Sequence, residues 1–466
     1  MVFSSLTFLL LFLPILYLLY FIVPSPRWRN GVLIAMSLLF YGWGEPVWIL
    51  AMLFSTGVNY VCGLLLTKVS RPGARKFILT VGVIASMAFL AYFKYAAFLL
   101  NSAAALVGSS WRMTSPGLPI GISFYTFQIL TYSVDVYRGK APALRNPLRL
   151  LLYISCFPQL IAGPIVQYGD IAGQLAERSV TPEDFTDGMQ RFIKGLGKKV
   201  LLANVCGAAM EETVLAGSGM ALSFAGAWLS VFLYGLQIYF DFSAYSDMAI
   251  GLGRTLGFRY KENFDYPYWS VSVTEFWRRW HISMGSFFRD YVYIPLGGNR
   301  RGTKRTVVNL LIVWALTGLW HGASWNFMFW GLYFGVLLIL ERYVLRDRLE
   351  KLPVFLRRGI TFLLVLIGWA IFYYTDSAAL AKHMLALFGI GVSGLTDPAA
   401  AAVVRKYTFF PVLAWVLSLP VVPRIAALLP EKLFDGLRLI CTLCIFALSL
   451  LFLIGQSYNP FIYFRF

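Results

Sequence analysis

The chain has 466 residues, of which 59% belong to the hydrophobic set AVILMFWYC and only 13% are charged, about half the charged share of a soluble domain. So few ionisable groups cannot tile a water-facing surface, and with a mean hydropathy of +0.68 the chain is read as a polytopic membrane protein rather than a string of soluble domains. Forty Lys and Arg against 22 Asp and Glu give a formal charge of +18. These basic groups lie in short breaks between apolar runs, so cytosolic loops and anionic membrane lipids are their expected partners, and nucleic acid is not.

Apolar runs predict helices near 4–23, 31–44, 46–67, 77–100, 119–137, 147–166, 190–210, 221–252, 306–321, 325–345, 355–375, 407–422 and 436–455. At roughly 20 residues per crossing this is an all-α integral membrane protein with about eleven crossings plus partial and interfacial helices. The runs 119–137 and 306–321 look short or polar enough to stop inside the membrane. The first run has no basic residue before it and no small-residue cleavage site after it, so it is expected to stay as a membrane helix. No repeat, low-complexity tract or soluble domain interrupts the chain, which reads as one domain, 1–466. The basic groups Arg71, Arg75 and Lys76, then Lys194, Lys198 and Lys199, then Arg300, Arg301, Lys304 and Arg305 mark cytosolic ends.

Along 234–247, Gln237, Asp241 and Tyr245 recur at four-residue steps. They line a common cavity, or else form a structural network with Arg254 or another helix. Next comes the stretch from Tyr266 to Arg300. Thr274 before Glu275 reads as a helix N-cap, and Trp277, Trp280, Met284, Phe287, Phe288 and Tyr291 then follow at three- and four-residue steps. That pattern predicts one amphipathic helix at the interface. His281 shares the apolar face of Trp277, Met284 and Phe288, as a packed histidine or as a functional one.

The run Thr306 to Trp320 ends at His321-Gly-Ala-Ser-Trp325. Sixteen residues rise about 24 Å, less than a hydrocarbon core, so His321 is expected at a helix end within the membrane, with Gly322 allowing the turn. Trp314, Gly318 and His321 fall on one face, and the missing side chain of Gly318 is read as room for a substrate. His383 follows Lys382 at a helix boundary and reads as interfacial. Cys441 and Cys444 have CxxC spacing but sit in apolar helix with no second pair, so no metal or redox site is expected.

Several of these stretches are recognisable together. Trp277-Arg-Arg-Trp-His281, Arg289-Asp-Tyr-Val-Tyr-Ile-Pro-Leu-Gly-Gly-Asn299 and Gly318-Leu-Trp-His321-Gly-Ala-Ser-Trp resemble the membrane-bound O-acyltransferase family, in particular its bacterial branch of polysaccharide O-acetylation. Phe157-Pro-Gln-Leu-Ile-Ala-Gly-Pro164, Gln237-Ile-Tyr-Phe-Asp-Phe242 and Asn459-Pro-Phe-Ile-Tyr-Phe464 extend the likeness over nearly the whole chain. The resemblance implies a helical bundle around a central tunnel, with His321 and His281 at the family's two histidine positions. It further implies an acyl thioester such as acetyl-CoA as donor substrate, no tightly bound cofactor, and a bacterial inner-membrane location. Its expected partners are an extracytoplasmic acyltransferase and a polysaccharide synthesis or secretion complex. The D-alanylation subunit of teichoic acid synthesis is a cousin, so transfer of another acyl group to a cell-wall polymer is the alternative.

The chemistry agrees with the residues: moving an acyl group from a thioester to a hydroxyl needs a base, and neutral histidine is one near pH 7. A polysaccharide or lipid transporter would share the hydrophobicity but more usually shows internal repeats and paired broken helices. Arg300, Arg301, Lys304 and Arg305 are placed on the donor side, where they can meet the phosphates of coenzyme A. Finally, the end Gln456-Ser-Tyr-Asn-Pro-Phe-Ile-Tyr463-Phe-Arg-Phe466 is too short to cross a membrane and too aromatic for a free tail. It is an interfacial anchor, or a segment whose Tyr463 accepts the acyl group and hands it on.

Overall fold

The computed structural model describes residues 1–216, 222–455 and 461–462, and the regular structure there is helical. The one extended pairing among the described residues is an isolated antiparallel bridge between Phe264 and Trp280. The chain divides into two compact units, Met1–Phe192 with Ser246–Lys261, and Ile193–Tyr245 with Glu262–Phe466.

Five described helices are long and apolar enough to cross a membrane, within Ile49–Lys68, Pro72–Leu106, Trp325–Glu350, Val354–Tyr373 and Glu431–Ile454. Counting the pair Pro398–Tyr407 and Phe409–Leu417, bent by 68°, as one span makes six. This is a multi-pass membrane protein, with fewer such helices than the eleven or so expected. Polar groups turned inward and breaks account for the difference. Helix Ile122–Arg138 buries Ser123, Thr126, Gln128, Thr131, Ser133 and Asp135, and the run expected over 147–166 splits at Cys156 into Pro147–Ser155 and Phe157–Leu160, with Pro158 in the first turn of the second piece, where its lost N–H is tolerated.

In the first unit, α1 (Ile49–Lys68), α2 (Pro72–Leu90) and α3 (Ile122–Arg138) pack through small and polar residues. Asn59 Nδ2 donates to Ser86 Oγ at 2.7 Å, and Ser133 Oγ donates to Asn59 Oδ1 at 2.5 Å, so one amide ties three helices. In lipid such a bond has no water to compete with it. Helix α4 (Pro182–Gly197) meets the C-terminal part of α5 (Phe224–Thr255) at Gly188 and Gly251, where a Cβ on either would lie 2.7 or 2.5 Å from the other's carbonyl oxygen. The glycines at 251–257 thus serve helix contact and turning. Three ion pairs brace the crossing: Arg191 with Asp247 at 2.9 Å, and Arg254 with Asp184 at 3.3 Å and Asp187 at 2.8 Å. Arg254 therefore goes to α4, not to Asp241 or Asp247.

The second unit carries both motif histidines. Its buried cluster is rich in tryptophan, with Trp280, Trp314, Trp330 and Trp369 in one core. The expected interfacial helix is broken at Trp280 and His281 into α6 (Val273–Arg279) and α7 (Ile282–Phe288). Helices α8 (Gly302–His321) and α9 (Trp325–Leu340) form a tight antiparallel hairpin. A Cβ on Gly318 would stand 2.2 Å from the carbonyl oxygen of Phe327, and one on Gly331 2.1 Å from that of Trp314. Gly318 is therefore filled by its neighbour's backbone, which corrects the expectation that it leaves room for a substrate. Helix α10 (Val354–Tyr373) supplies Trp369 and Phe372 to the same core, and α11 (Glu431–Ile454) precedes the C-terminal segment.

Candidate active site

Local chemistry fixes the break that presents His281. Helix α6 starts at Ser272, not at Thr274: Ser272 Oγ accepts the N–H of Glu275 at 3.0 Å, and Glu275 Oε2 accepts that of Val271 at 2.8 Å, a reciprocal cap. The carboxylate of Glu341, just beyond α9, takes two more free donors of the first turn, Val273 N at 2.7 Å and Thr274 N at 3.1 Å. After barely two turns the chain leaves the helix. Trp280 is extended and pairs with Phe264, and His281 takes the left-handed conformation, φ 47° and ψ 53°, before α7 begins. Apart from Tyr266, it is the only non-glycine residue with positive φ among those described. Such strain costs roughly 1–2 kcal/mol and gathers at functional sites.

His281 is fully buried, and its Nδ1 lies 3.2 Å from Asn263 Oδ1. That oxygen also accepts the backbone N–H of Ser283 at 3.1 Å and the Ser283 hydroxyl at 2.8 Å. A backbone N–H can only donate, so the Asn263 atom is the carbonyl oxygen and His281 Nδ1 carries the proton. The lone pair is left on Nε2, which has no hydrogen-bond partner among the described residues. A ring held in one tautomer with a bare Nε2 is the form a general base needs. Phe242 stands edge-on to it at 4.6 Å, and Trp320 lies 5.8 Å away.

Trp320 connects the two histidines. His321, 6% exposed at the end of α8, packs against Trp320 at 4.8 Å, Trp330 at 4.9 Å and Phe372 at 5.3 Å between ring centroids. Helix α8 starts at Gly302 and ends at His321, so the histidine sits at a helix end as expected. Gly322 is extended rather than left-handed, and its lack of a side chain serves the Phe327 ring, 2.2 Å from where a Cβ would be. A nearby cavity is lined by Trp277, Trp280, Met284, Phe288, Trp314 and Thr317 and reaches Arg289 and Tyr293. Its rings lead toward the histidine: Trp277 lies 4.7 Å from Trp314, Trp314 6.4 Å from Trp330, and Trp330 touches His321. Trp277, Met284 and Phe288 share this cavity, whereas the left-handed step turns His281 to Asn263.

The remaining expected site residues lie in several settings. Asp241 is buried and bonded to Lys199, with 2.5 Å between Nζ and Oδ1. Gln237 is half-buried and closes against Gly207. Arg300, Arg301, Lys304 and Arg305 are all exposed at the start of α8. His383, expected at the interface, is instead buried, with Nδ1 2.8 Å from the Tyr374 hydroxyl. Cys441 and Cys444 are exposed on α11. Tyr463 lies outside the described residues. Asn263, Ser283 and Glu341, not among the residues expected at the site, act on it from up to 68 positions away. Only Ser283, two residues from His281, carried any local signal.

Two buried histidines, one held as a lone-pair base and both packed on one tryptophan in a membrane-spanning helical chain, suit acyl transfer inside a bilayer. Residues 78–380 match the model of MBOAT, the membrane-bound O-acyltransferase family, and the chain belongs to that family. The probable alginate O-acetylase AlgI of Azotobacter vinelandii is 38% identical over the full length of both chains. The peptidoglycan O-acetyltransferase of Helicobacter pylori is 29% identical over all of this chain and 98% of its own. More distantly, the teichoic acid D-alanyltransferase of Streptococcus thermophilus is 27% identical over 49% of this chain and 58% of its own. The protein is a membrane O-acyltransferase.

Proposed function

We propose that this acyltransferase moves an acetyl group from a cytosolic thioester such as acetyl-CoA through the bacterial inner membrane, for O-acetylation of an extracytoplasmic polysaccharide. The observation that carries the reading is the histidine pair on Trp320 in a chain 38% identical, end to end, to a probable alginate O-acetylase. The match to the D-alanyltransferase covers only half of the chain, which favours acetyl over D-alanyl transfer. In the reaction His321 accepts the proton of the acceptor hydroxyl as its oxygen attacks the thioester carbonyl. The tetrahedral intermediate collapses, the C–S bond breaks, and the thiolate leaves with that proton. His281, oriented by Asn263, is the second catalytic group. The donor's acyl arm enters by the cavity lined by Trp280, Met284, Phe288 and Trp314.

The first acceptor in this reading is Tyr463. A phenol, with a pKa near about 10, is a better leaving group than a sugar hydroxyl, so onward transfer by an extracytoplasmic partner enzyme is downhill. In cells with the polysaccharide machinery intact, Tyr463→Phe is expected to abolish polymer acetylation. With the partner enzyme absent, mass spectrometry of the wild-type C-terminal peptide is expected to show an acetyl ester on Tyr463. Wild-type acetylation in Tyr463→Phe removes the relay; loss of thioester consumption in every preparation removes the enzyme reading itself.

The basic group at 300–305 belongs on the cytosolic side, where the donor enters. Thr303→Cys, at an exposed position, should resist a membrane-impermeant thiol reagent in intact cells and label in inverted vesicles. Labelling from outside would invert the topology.

A further inference from the structure

The second unit holds an ion pair that the histidine chemistry does not use. Lys199 Nζ and Asp241 Oδ1 are 2.5 Å apart, with side chains only 3% and 4% exposed. Burying two charges is costly, and an apolar pair of similar volume is often as stable. A charged pair within a membrane protein therefore asks for a function. The other carboxylate oxygen supplies one: Asp241 Oδ2 accepts the backbone N–H of Ile462 at 2.7 Å, from a residue 221 positions away. Lys199 Nζ lies 4.7 Å from the centroid of the Phe461 ring, a cation–π distance, and Tyr245 meets that ring edge-on at 5.0 Å.

Both C-terminal residues are interior: Phe461 is buried, and Ile462 belongs to the same apolar cluster as Trp280, Trp314 and Trp330 beside the histidines. An interfacial aromatic anchor would leave its rings among lipid headgroups. Phe461 and Ile462 are instead held by charged groups of the second unit. The same helix step noted in the sequence, Asp241 to Tyr245, serves the C-terminal segment with both residues.

We propose that Lys199 and Asp241 are positioning residues for acyl transfer: they seat the C-terminal segment by its backbone at Ile462 and its ring at Phe461. This rests on the reading of Tyr463 as acceptor for its effect on activity, but the seat itself stands on the contacts at Phe461 and Ile462. A fixed carboxylate lowers the entropy of bringing a chain end to a reacting centre, and misplacement by about 1 Å can cost on the order of 100-fold in rate.

The test uses the full-length protein in membranes or nanodiscs. The double variant Lys199→Met/Asp241→Leu keeps the volume and leaves no unpaired charge, so it is built to fold where Asp241→Ala alone would strand the lysine. Hydrogen–deuterium exchange of the C-terminal peptide reads the Ile462 amide directly. Wild type should protect it, and the double variant should exchange it at least about tenfold faster. Acetyl transfer to the C-terminal peptide should fall by at least about tenfold in kcat with the donor KM unchanged, whereas general loosening of the fold would move both. Equal protection in the two proteins overturns the seat. Faster exchange with unchanged kcat overturns the positioning role. If Tyr463→Phe proves fully active while exchange still responds in the double variant, the relay fails and the seat survives.

Discussion

His321→Ala is expected to lower polymer acetylation and acetyl-CoA consumption by at least about 100-fold, with the protein still inserted at wild-type amounts. The scale is that of removing a general base. Insertion should hold because the imidazole sits in a frame of other rings, Trp320, Trp330 and Phe372, while the α8–α9 hairpin closes through the backbone contacts of Gly318 and Gly331. Donor KM should change little if the histidine acts in the chemical step, so the loss belongs in kcat. Near-normal acetylation in this variant would remove His321 from the mechanism, and a matching drop in detergent-extracted folded protein would assign it a packing role instead.

Position 281 allows backbone and chemistry to be separated. Asparagine is among the few residues that tolerate the left-handed region, so His281→Asn should fold and insert normally. It keeps hydrogen-bonding capacity towards Asn263 and Ser283 but offers no titratable nitrogen where Nε2 now stands. Activity should drop by roughly tenfold, less than for His321→Ala, with the remaining base still present. His281→Val is the contrasting variant: a β-branched residue at φ 47° adds strain to the lost contacts, and folded yield should fall with activity. Equal activity in His281→Asn and wild type would leave His281 with the conformation alone, and equal yields of the valine variant would show that the left-handed step is not costly.

Much of the second unit was legible because lipid imposes simple rules. Apolar runs, basic breaks and a histidine at the end of an apolar helix required only counting, and α8 indeed ends at His321. Periodicity failed where capping intervened. A three- and four-residue pattern from Trp277 to Tyr291 reads as one helix, yet Ser272 and Glu341 start the helix early and the Phe264–Trp280 bridge stops it after Arg279. Nothing local to 277–291 reports a carboxylate at position 341. Span counting failed for a related reason: buried serine and threonine on a helix such as α3 lower its hydropathy, although Thr131 finds the Tyr153 hydroxyl and Ser133 the Asn59 amide inside the protein.

Composition and motif are properties of the chain alone, and they define the class: a membrane-embedded helical chain with two histidines in motifs of an acyltransferase family. How each residue is used depends on the fold. Gly318 proved to be a contact rather than a space, since only the facing carbonyl of Phe327 shows what fills it. Asp241 found Lys199 and the N–H of Ile462 rather than Arg254, since partners 42 and 221 positions away are matched by packing and not by spacing. The tautomer of His281 likewise follows from Asn263 and Ser283 meeting it in space. A hydrogen bond is fixed by where its two ends come to lie, and in a buried network the fold alone brings them there.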